Sequence, residues 1–488
     1  MSPSSIALGL RRGAASGAWA DAATGAAVVA LTLALALAPL PTLGAGLAVA
    51  VVWALVRWPF ALPVLLIVLM GNVKVNAYLG FFTLFPEYLL LLVACGMGLV
   101  AWWAKPAWPP ERRATVLMLV WIFTGLLSLP FAVSGARVLA RVVLNVVSMV
   151  TFLSVVITVR SRTDLRRAVT LWEVVATLYA AFGIVQMIGL VAGFDTSLNF
   201  LKGISNPDIY LGVGAPVRRK IGDVFRANSM FNDPNILGGF LAAAMSAMLA
   251  LRFHHAESGR GRRAALEVLG LVVMSVCLLL TQSRSGLLAL LAGVAVVFAH
   301  RPGSLRRPAL WVAVAGTVAA TVGVALLVQI DPTLLVGRLA ASGDTNDLSN
   351  RTHVDVFLYG LELVARYPFS GVGLGNFGLF YGPERDALYS NMMTHCAPLT
   401  YFAESGIPGG IAFCAVWAHI VGRVARARPA DADAEGKALR VALLAALVAL
   451  LVANLAYDYI LRTFVWVLAA LAVSVARHHD ARVTESRA

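Results

Sequence analysis

The sequence has few charged residues for its length. Asp, Glu, Lys and Arg make up only 13% of the 488 residues, and 59% are hydrophobic. A soluble domain carries about 25% charged residues. Apolar runs long enough to cross a bilayer recur along the chain, which excludes a set of soluble domains and predicts one polytopic membrane domain. The runs are long and rich in Ala, Leu and Val, so we expect helical spans and not a barrel.

Metal-ligand spacing, internal repeats and nucleotide-binding loops are also missing from the sequence. The few cysteines lie too far apart to predict a metal site or a disulfide framework. The absence of a repeat weakens a transporter interpretation, because many transporters are built from repeated halves. The glycines of residues 371–377 lack the strand–helix context of a dinucleotide loop and predict a tight turn after Pro368. The cysteines are Cys95, Cys277, Cys396 and Cys414.

The apolar runs predict an all-α polytopic membrane protein with about 12 to 14 transmembrane helices of roughly 20 residues each. Beyond the uncertain number within 23–71, the predicted spans are 87–103, 114–133, 141–159, 168–191, 236–251, 264–280, 287–298, 309–330, 401–421, 438–455 and 460–475. The predicted regions are a cytoplasmic tail at 1–22, transmembrane helices at 23–330 with a periplasmic segment near 195–232, a large periplasmic catalytic loop with short amphipathic helices at 331–398, transmembrane helices at 399–476 and a cytoplasmic tail at 477–488.

The basic residues predict the orientation of these spans. A net charge of +14 would also suit a nucleic-acid-binding protein, but the basic residues sit between spans, and our assignment puts 25 of the 39 Lys and Arg on the inner side, where the loops are short. The positive-inside rule therefore places both termini in the cytoplasm and the two long loops outside. Arg11 and Arg12 precede the first apolar run without the rest of a twin-arginine signal, so we interpret them as part of a cytoplasmic tail.

Arg284 stands at a break between two spans. The stretch 264–299 would measure about 54 Å as one helix, whereas the hydrocarbon core of a bilayer is about 30 Å thick. The chain must therefore turn near the break at 281–286, which puts Arg284 at an outer helix junction. An arginine there opposes the positive-inside bias. It either reaches to lipid phosphates or presents a planar fork to a bound phosphate, and the second interpretation is favoured.

A second arginine, Arg226, precedes the span that starts near residue 236. Asp233 or Asn232 is the candidate cap for this helix, with Pro234 near its first turn. The same helix start offers unpaired N–H groups and a positive dipole end to an anion. Arg218, Arg219 and Lys220 make the segment basic, so we expect them to contact an anionic substrate.

His395 is the candidate general base. It lies between a basic loop and the start of an outer span, and imidazole is the side chain best suited to take a proton near neutral pH. The competing histidine is His353, at the polar start of 349–367. This stretch carries an apolar stripe at helical spacing and predicts an amphipathic helix lying on the membrane, with His353 away from the donor. Asp458 and Arg462, four residues apart, are interpreted as a structural ion pair.

These motifs resemble those of the O-antigen ligase and polymerase family of bacterial membrane glycosyltransferases. The matching pieces cover roughly 226–410 and occur in the family's order, and Cys396 replaces the usual polar residue after the histidine. They are Arg226 with 231–235 (Phe-Asn-Asp-Pro-Asn), 283–286 (Ser-Arg-Ser-Gly), Arg351 with Pro368 and 371–377, and His395 with Leu399, Glu404 and 406–409 (Gly-Ile-Pro-Gly).

The resemblance implies transfer of a glycan from undecaprenyl pyrophosphate to an acceptor hydroxyl on the periplasmic side of the bacterial inner membrane, without nucleotide, metal or other cofactor. Lipid A–core or another glycan is the implied acceptor. A polymerase of lipid-linked repeat units, a protein glycosyltransferase and a transporter or flippase of an anionic or lipid-linked solute stay open as alternatives. Arg226, Arg284 and His395 would then be catalytic, and Asn235, Arg351 and Glu404 would bind substrate together with the basic residues at 218–220.

Overall fold

The computed structural model describes most of the chain beyond residue 110. The predicted span at 309–330 and all but a few residues of those at 23–71 and 87–103 lie outside the described part. The described residues are 62–63, 65–66, 77–78, 83–84, 91, 111–193, 217–218, 225–231, 233–301, 348–385, 392–428 and 433–485.

The described residues are mainly α-helical, as the apolar runs predict. Seven helices are long and apolar enough to cross a membrane, and α6 and the start of α11 are shorter apolar helices. The all-α polytopic prediction is therefore confirmed, while the total of 12 to 14 spans stays a prediction. The helices are α1 Arg112–Leu127, α2 Gly135–Thr158, α3 Arg162–Ala192, α4 Pro234–Glu257, α5 Gly261–Thr281, α6 Arg284–Ala299, α7 Leu348–Arg366, α8 Phe377–Glu384, α9 Ala397–Arg426, α10 Ala434–Ala456 and α11 Thr463–Glu485.

Four two-residue strands accompany the helices as two antiparallel pairs. Each pair is too short to build a layer, so the helices determine the architecture. The second pair matters for the site, because it aligns Arg218 with Phe225 and Val217 with Arg226. The strands are β1 Ala77–Tyr78, β2 Thr83–Leu84, β3 Val217–Arg218 and β4 Phe225–Arg226.

Helix α4 is the most buried of the candidate spans, because small residues let its neighbours approach closely. A Cβ added to Gly286 of α6 would lie 2.9 Å from the Cα of Gly238, so the two helix backbones are nearly in contact there. Helices in lipid gain no hydrophobic driving force by packing together. Small residues such as glycine instead let the backbones approach closely enough for van der Waals packing. Phe240 of α4 adds an edge-to-face contact with Phe464 of α11, with ring centroids 5.4 Å apart.

Local capping explains where several helices begin. Ser161 and Asp164 form a capping box at the start of α3, with N–H···O distances of 3.1 and 3.0 Å. Asp233 accepts from the Asn235 N–H at 2.6 Å and Pro234 opens α4, which confirms the capping prediction.

Ion pairs join the helix ends that were predicted to be cytoplasmic. Arg301 after α6 pairs with Glu257 of α4 at 2.7 Å, and Arg423 of α9 pairs with Glu111 before α1 at 3.5 Å. Arg162 of α3 also pairs with Asp433 before α10. These ends therefore lie on one side of the bundle, and the opposite helix ends, including the α5–α6 turn, lie on the other. We refer to the latter as the outer end.

Candidate functional site

Arg226 is built into the outer end of the bundle. Its side chain is buried, and its Nε donates to the Thr281 carbonyl at 2.7 Å. Its Nη2 donates to Asn235 Oδ1 at 2.9 Å. The guanidinium thus fastens the segment before α4 to the end of α5. Some of the N–H donors of Arg226 that were predicted to bind a phosphate therefore form hydrogen bonds within the protein.

Arg284 is different, because it has no hydrogen bond or ion pair with any residue that the structure describes. It is the first residue of α6 and half-buried. Ser283 caps the helix by accepting from the Gly286 N–H at 3.1 Å. Gln282 turns the chain in a left-handed conformation, with φ of 51°. The turn predicted from helix length is confirmed, and it presents an arginine at a helix N-terminus, where anions are stabilised.

His395 lies between two other rings. Its ring centroid is 4.3 Å from that of His353 and 5.3 Å from that of Tyr457, which is nearly parallel to it. Its Nδ1 is buried and has no hydrogen-bond partner among the described residues. Burial first, and then the positive charge of His353, lowers the pKa of His395 to about 4. The imidazole is therefore neutral at neutral pH, which is the form that accepts a proton.

A continuous set of contacts joins His395 to Arg226. Tyr457, whose ring stacks on His395, donates from its hydroxyl to Asp233 Oδ2 at 2.8 Å. The other carboxylate oxygen of Asp233 accepts from the N–H of Asn235, whose side chain accepts from Arg226. Residues about 170 positions apart in the sequence are thereby brought into one site at the outer end.

The expectation that His353 lies away from the site is wrong. The helix predicted at 349–367 exists as α7, with His353 in its first turns. A Cβ added to Gly360 would lie 2.9 Å from Leu399 and 3.1 Å from Thr394, so α7 packs directly on the segment around His395. The periodicity of the sequence predicts the helix and its apolar face. It does not reveal the other face of α7, which packs on the segment around His395.

Glu404 contacts the glycine turn. Its two carboxylate oxygens accept from the Gly375 N–H at 2.7 Å and the Phe377 N–H at 3.1 Å. Gly371, Gly373 and Gly375 all have positive φ, which confirms the tight turn. These bonds give Glu404 a structural role. Its predicted contact with substrate stays a prediction.

Of four further predicted substrate-binding residues, the structure describes two and leaves two outside the described part. Arg218 lies in β3, whose pairing with β4 brings it beside the strand of Arg226. Arg351 lies in the first turn of α7, where only its backbone is described. Arg219 and Lys220 lie outside the described residues. Their contact with substrate stays a prediction.

Sequence reasoning missed Tyr457 and the role of its neighbours. Asp458 was interpreted only as the partner of Arg462, a pairing that stays a prediction. In the structure its carboxylate accepts from the Thr400 hydroxyl at 2.9 Å, and Thr400 contacts the Thr394 hydroxyl at 2.8 Å. The available signal was an aromatic residue beside an acid in the polar break between the last two spans.

A comparison with protein families identifies this region. Residues 269–414 match the family model described as O-antigen ligase. This match supports the resemblance to the O-antigen ligase/polymerase family that the sequence motifs carry. The matched region contains Arg284, His395 and Glu404, whereas Arg226 and Tyr457 lie on either side of it. A search among curated proteins returned no match to this chain.

The matched domain supports a function of the O-antigen ligase/polymerase type in general, and such a function implies a lipid-linked glycan and an acceptor as partners. The candidate spans support a multi-pass membrane protein.

Proposed function

We propose that this protein is an O-antigen ligase, moving a glycan from undecaprenyl pyrophosphate to a hydroxyl of lipid A–core at the periplasmic face of the inner membrane. The observation that carries the proposal is the grouping at the outer end of a neutral imidazole and an arginine whose side chain has no partner among the described residues. Arg284 opens α6 three residues after the carbonyl that holds Arg226. His395 reaches the same region through Tyr457 and Asp233.

The arginines suit a pyrophosphate leaving group. Negative charge develops on the leaving oxygen as the bond to the sugar breaks, and fixed cations that already point at that oxygen stabilise it without reorganisation. Arg284 offers a guanidinium fork beside the unpaired N–H groups and positive dipole end of α6. Arg226, anchored beside it, adds positive charge and holds the geometry. No metal is required for this part of the reaction.

His395 suits the acceptor side of the reaction. The acceptor hydroxyl oxygen attacks the anomeric carbon, and its proton passes to the neutral imidazole. The bond between the anomeric carbon and the pyrophosphate oxygen breaks, and undecaprenyl pyrophosphate leaves with the electron pair. Atoms and charge balance with one proton on His395, which is released to water afterwards.

The exposed face of α7 supports placement of the site at the membrane surface. Val354, Phe357, Leu358 and Leu361 are all exposed, whereas Val356, Tyr359 and Leu363 on the other face are buried. A helix with one face on the protein and an apolar face outward suits the lipid headgroup region. A donor with a polyprenyl tail would approach the site from this hydrocarbon.

A deletion strain tests the proposal. Lipid A–core without an attached O-chain is the expected surface glycan, because the polymer would form but not be transferred. Lipid A–core carrying single repeat units would indicate the polymerase alternative. Lipid-linked glycan retained at the cytoplasmic face of the membrane, and not at the periplasmic face, would favour the transporter alternative.

A further inference from the structure

The surroundings of His395 suggest how a base on a short loop is held in one orientation. A catalytic histidine is usually oriented by a third group that hydrogen-bonds its second ring nitrogen. Here the Nδ1 of His395 is buried but meets no such group within the described part of the chain. The residue also has a φ of 57°, which is unfavourable for a side chain with a Cβ and must be maintained by its surroundings.

We propose that His353 and Tyr457 are positioning residues that hold the His395 imidazole between their rings and fix it relative to the arginines. The proposal rests on the proposed function, in which His395 takes the acceptor proton. Ring packing replaces the missing hydrogen bond. His353 contacts one side at 4.3 Å and Tyr457 is nearly parallel on another at 5.3 Å, with 19° between the planes.

Tyr457 connects the base to the arginine half of the site. It follows α10 directly, where its N–H donates to the Ala453 carbonyl at 3.0 Å. Its hydroxyl donates to Asp233, the cap of α4. The ring stacked on His395 is therefore fixed to two helices at once. A change in this ring should alter where the base points while leaving the arginines in place.

His353 adds an electrostatic effect to its packing. Two adjacent imidazoles resist double protonation, so the pair holds at most one proton over a wide pH range. Titratable groups on the neighbouring elements include Asp355, whose carboxylate accepts from the Tyr381 hydroxyl at 2.7 Å, Cys396 next to His395, Tyr457 with Asp233 bonded to it, and Asp458, which accepts from Thr400. Burial is the larger cause of the lowered pKa of His395, and the charge of a protonated His353 lowers it further.

Steady-state kinetics of the full-length protein test the positioning role. The assay uses an undecaprenyl-pyrophosphate-linked glycan and purified lipid A–core. Tyr457→Ala should lower kcat on the order of 10²-fold, as a misplacement of about 1 Å does. Tyr457→Phe keeps the ring and loses one hydrogen bond, so about a tenfold fall is expected. The KM for donor should change little in both variants.

A chemical probe gives a readout that does not depend on turnover. Carbethoxylation of histidine by diethyl pyrocarbonate requires the neutral ring, and its pH midpoint at His395 can be followed by mass spectrometry. His353→Phe keeps a ring but removes the charge, so the midpoint should rise above about 4, while burial, the larger cause, still holds it below the ordinary value of about 6.5. Tyr457→Ala should also raise it by opening the ring to water.

The controls separate this proposal from the proposed function. His395→Ala and Arg284→Ala test the function itself, and an active His395→Ala variant would remove the base. If His395→Ala is inactive while Tyr457→Ala keeps a normal kcat and the midpoint is unchanged in both Tyr457→Ala and His353→Phe, the positioning role is wrong and the function stands. Should Tyr457→Ala fail to fold, the two Phe variants keep the ring packing and still test the role, which is wrong if Tyr457→Phe shows no fall in kcat and His353→Phe no rise in the midpoint.

Discussion

At the residue scale, two arginines at the outer end look alike in the sequence but have different surroundings in the structure. Arg226 donates hydrogen bonds to Thr281 and Asn235, whereas the side chain of Arg284 has no partner among the residues that the structure describes. An anion arriving at the site would therefore gain its new charge-assisted hydrogen bonds mainly from Arg284. Its bidentate geometry matters as well as its charge, because an ammonium group offers no planar fork.

Replacement of Arg284 should weaken donor binding. A hydrogen bond to a charged group is worth about 1.5–3 kcal/mol, so Arg284→Ala should raise the Kd for lipid-linked glycan by about 10- to 150-fold. Arg284→Lys should recover only a small part of this loss. Titration of the purified variants with donor measures the effect. Arg301→Ala, at the opposite end of α6, is the matched control, and equal losses in both variants would contradict a specific role.

Replacement of His395 should remove most of the turnover and leave donor binding intact. A positioned base contributes about 10²–10⁴-fold in rate, so His395→Ala should lower kcat by that factor. His300→Ala is the control, because this histidine lies at the other end of the bundle after α6. Near-normal turnover in His395→Ala would leave catalysis to the arginines and an acceptor that loses its proton to water or phosphate.

The same histidine predicts a loss of stability in mild acid. Its pKa is lowered to about 4 in the folded protein, whereas the unfolded chain binds the proton at about 6.5. As pH falls from about 6.5 to 4, protons bind the unfolded state preferentially and the folded state loses stability; above 6.5 the contribution is absent. Thermal unfolding between pH 7 and 4.5 should show a smaller acid loss for His395→Gln than for the unsubstituted protein. Parallel curves would show that His395 titrates normally.

At the element scale, the glycine turn is the piece that joins α7 and α8 to α9. Its backbone N–H groups point at the Glu404 carboxylate, and Val372 N–H donates to the Ala403 carbonyl at 3.1 Å. Helix α9 bends at Gly406, where φ is 68° and the Ile407 N–H donates to the Pro368 carbonyl at 2.7 Å. A bend in one helix thus creates the place where the preceding loop docks.

Glu404→Gln should lower stability more than donor affinity. The amide keeps the size of the side chain, but it replaces one accepting oxygen with a donor that faces a backbone N–H. Leaving such a buried group unsatisfied costs about 1–3 kcal/mol. The measurement is the unfolding temperature together with the Kd for donor. Glu435→Gln at the inner end is the control, and a loss of donor affinity without a loss of stability would support the substrate-binding prediction instead.

At the scale of the whole molecule, charge separates the two ends of the bundle. Arginines at one end pair with acids or with helix carbonyls; Arg477, for example, donates to the Val156 and Val159 carbonyls at 2.6 and 2.7 Å. The other end carries Arg226, Arg284 and His395. The positive-inside rule predicts that the first end is cytoplasmic and therefore that the site faces the periplasm.

Labelling of single cysteines introduced into a cysteine-free variant tests this orientation. Ser258→Cys, in the turn between α4 and α5, should be protected from a membrane-impermeant maleimide in intact cells. Phe369→Cys, in the exposed turn after α7, should react, because this side chain is 82% exposed. Permeabilised cells provide the control, since both positions should react there. The opposite pattern in intact cells would invert the whole topology.

The sequence by itself determined the class of the protein and the identity of its main candidate residues. Long apolar runs exclude soluble domains because a bilayer requires about 20 apolar residues per helix. The excess length of 264–299 requires a turn near Arg284, since one helix of that length exceeds the hydrocarbon thickness. The caps of α4 and the glycine turn were likewise predictable, because both depend on residues adjacent in the chain.

Only the tertiary structure decided which of these residues meet. Tyr457 and Asp233 are 224 positions apart, and their contact depends on how α10 packs beside α4. His353 was placed wrongly because the hydrophobic pattern of α7 reveals one apolar face and not the second face that packs on the segment around His395. Arg226 and Arg284 differ for the same reason, since partners from other helices determine which arginine is committed to the protein. Periodicity and capping are local, whereas a site made of separate helix ends is set by long-range packing.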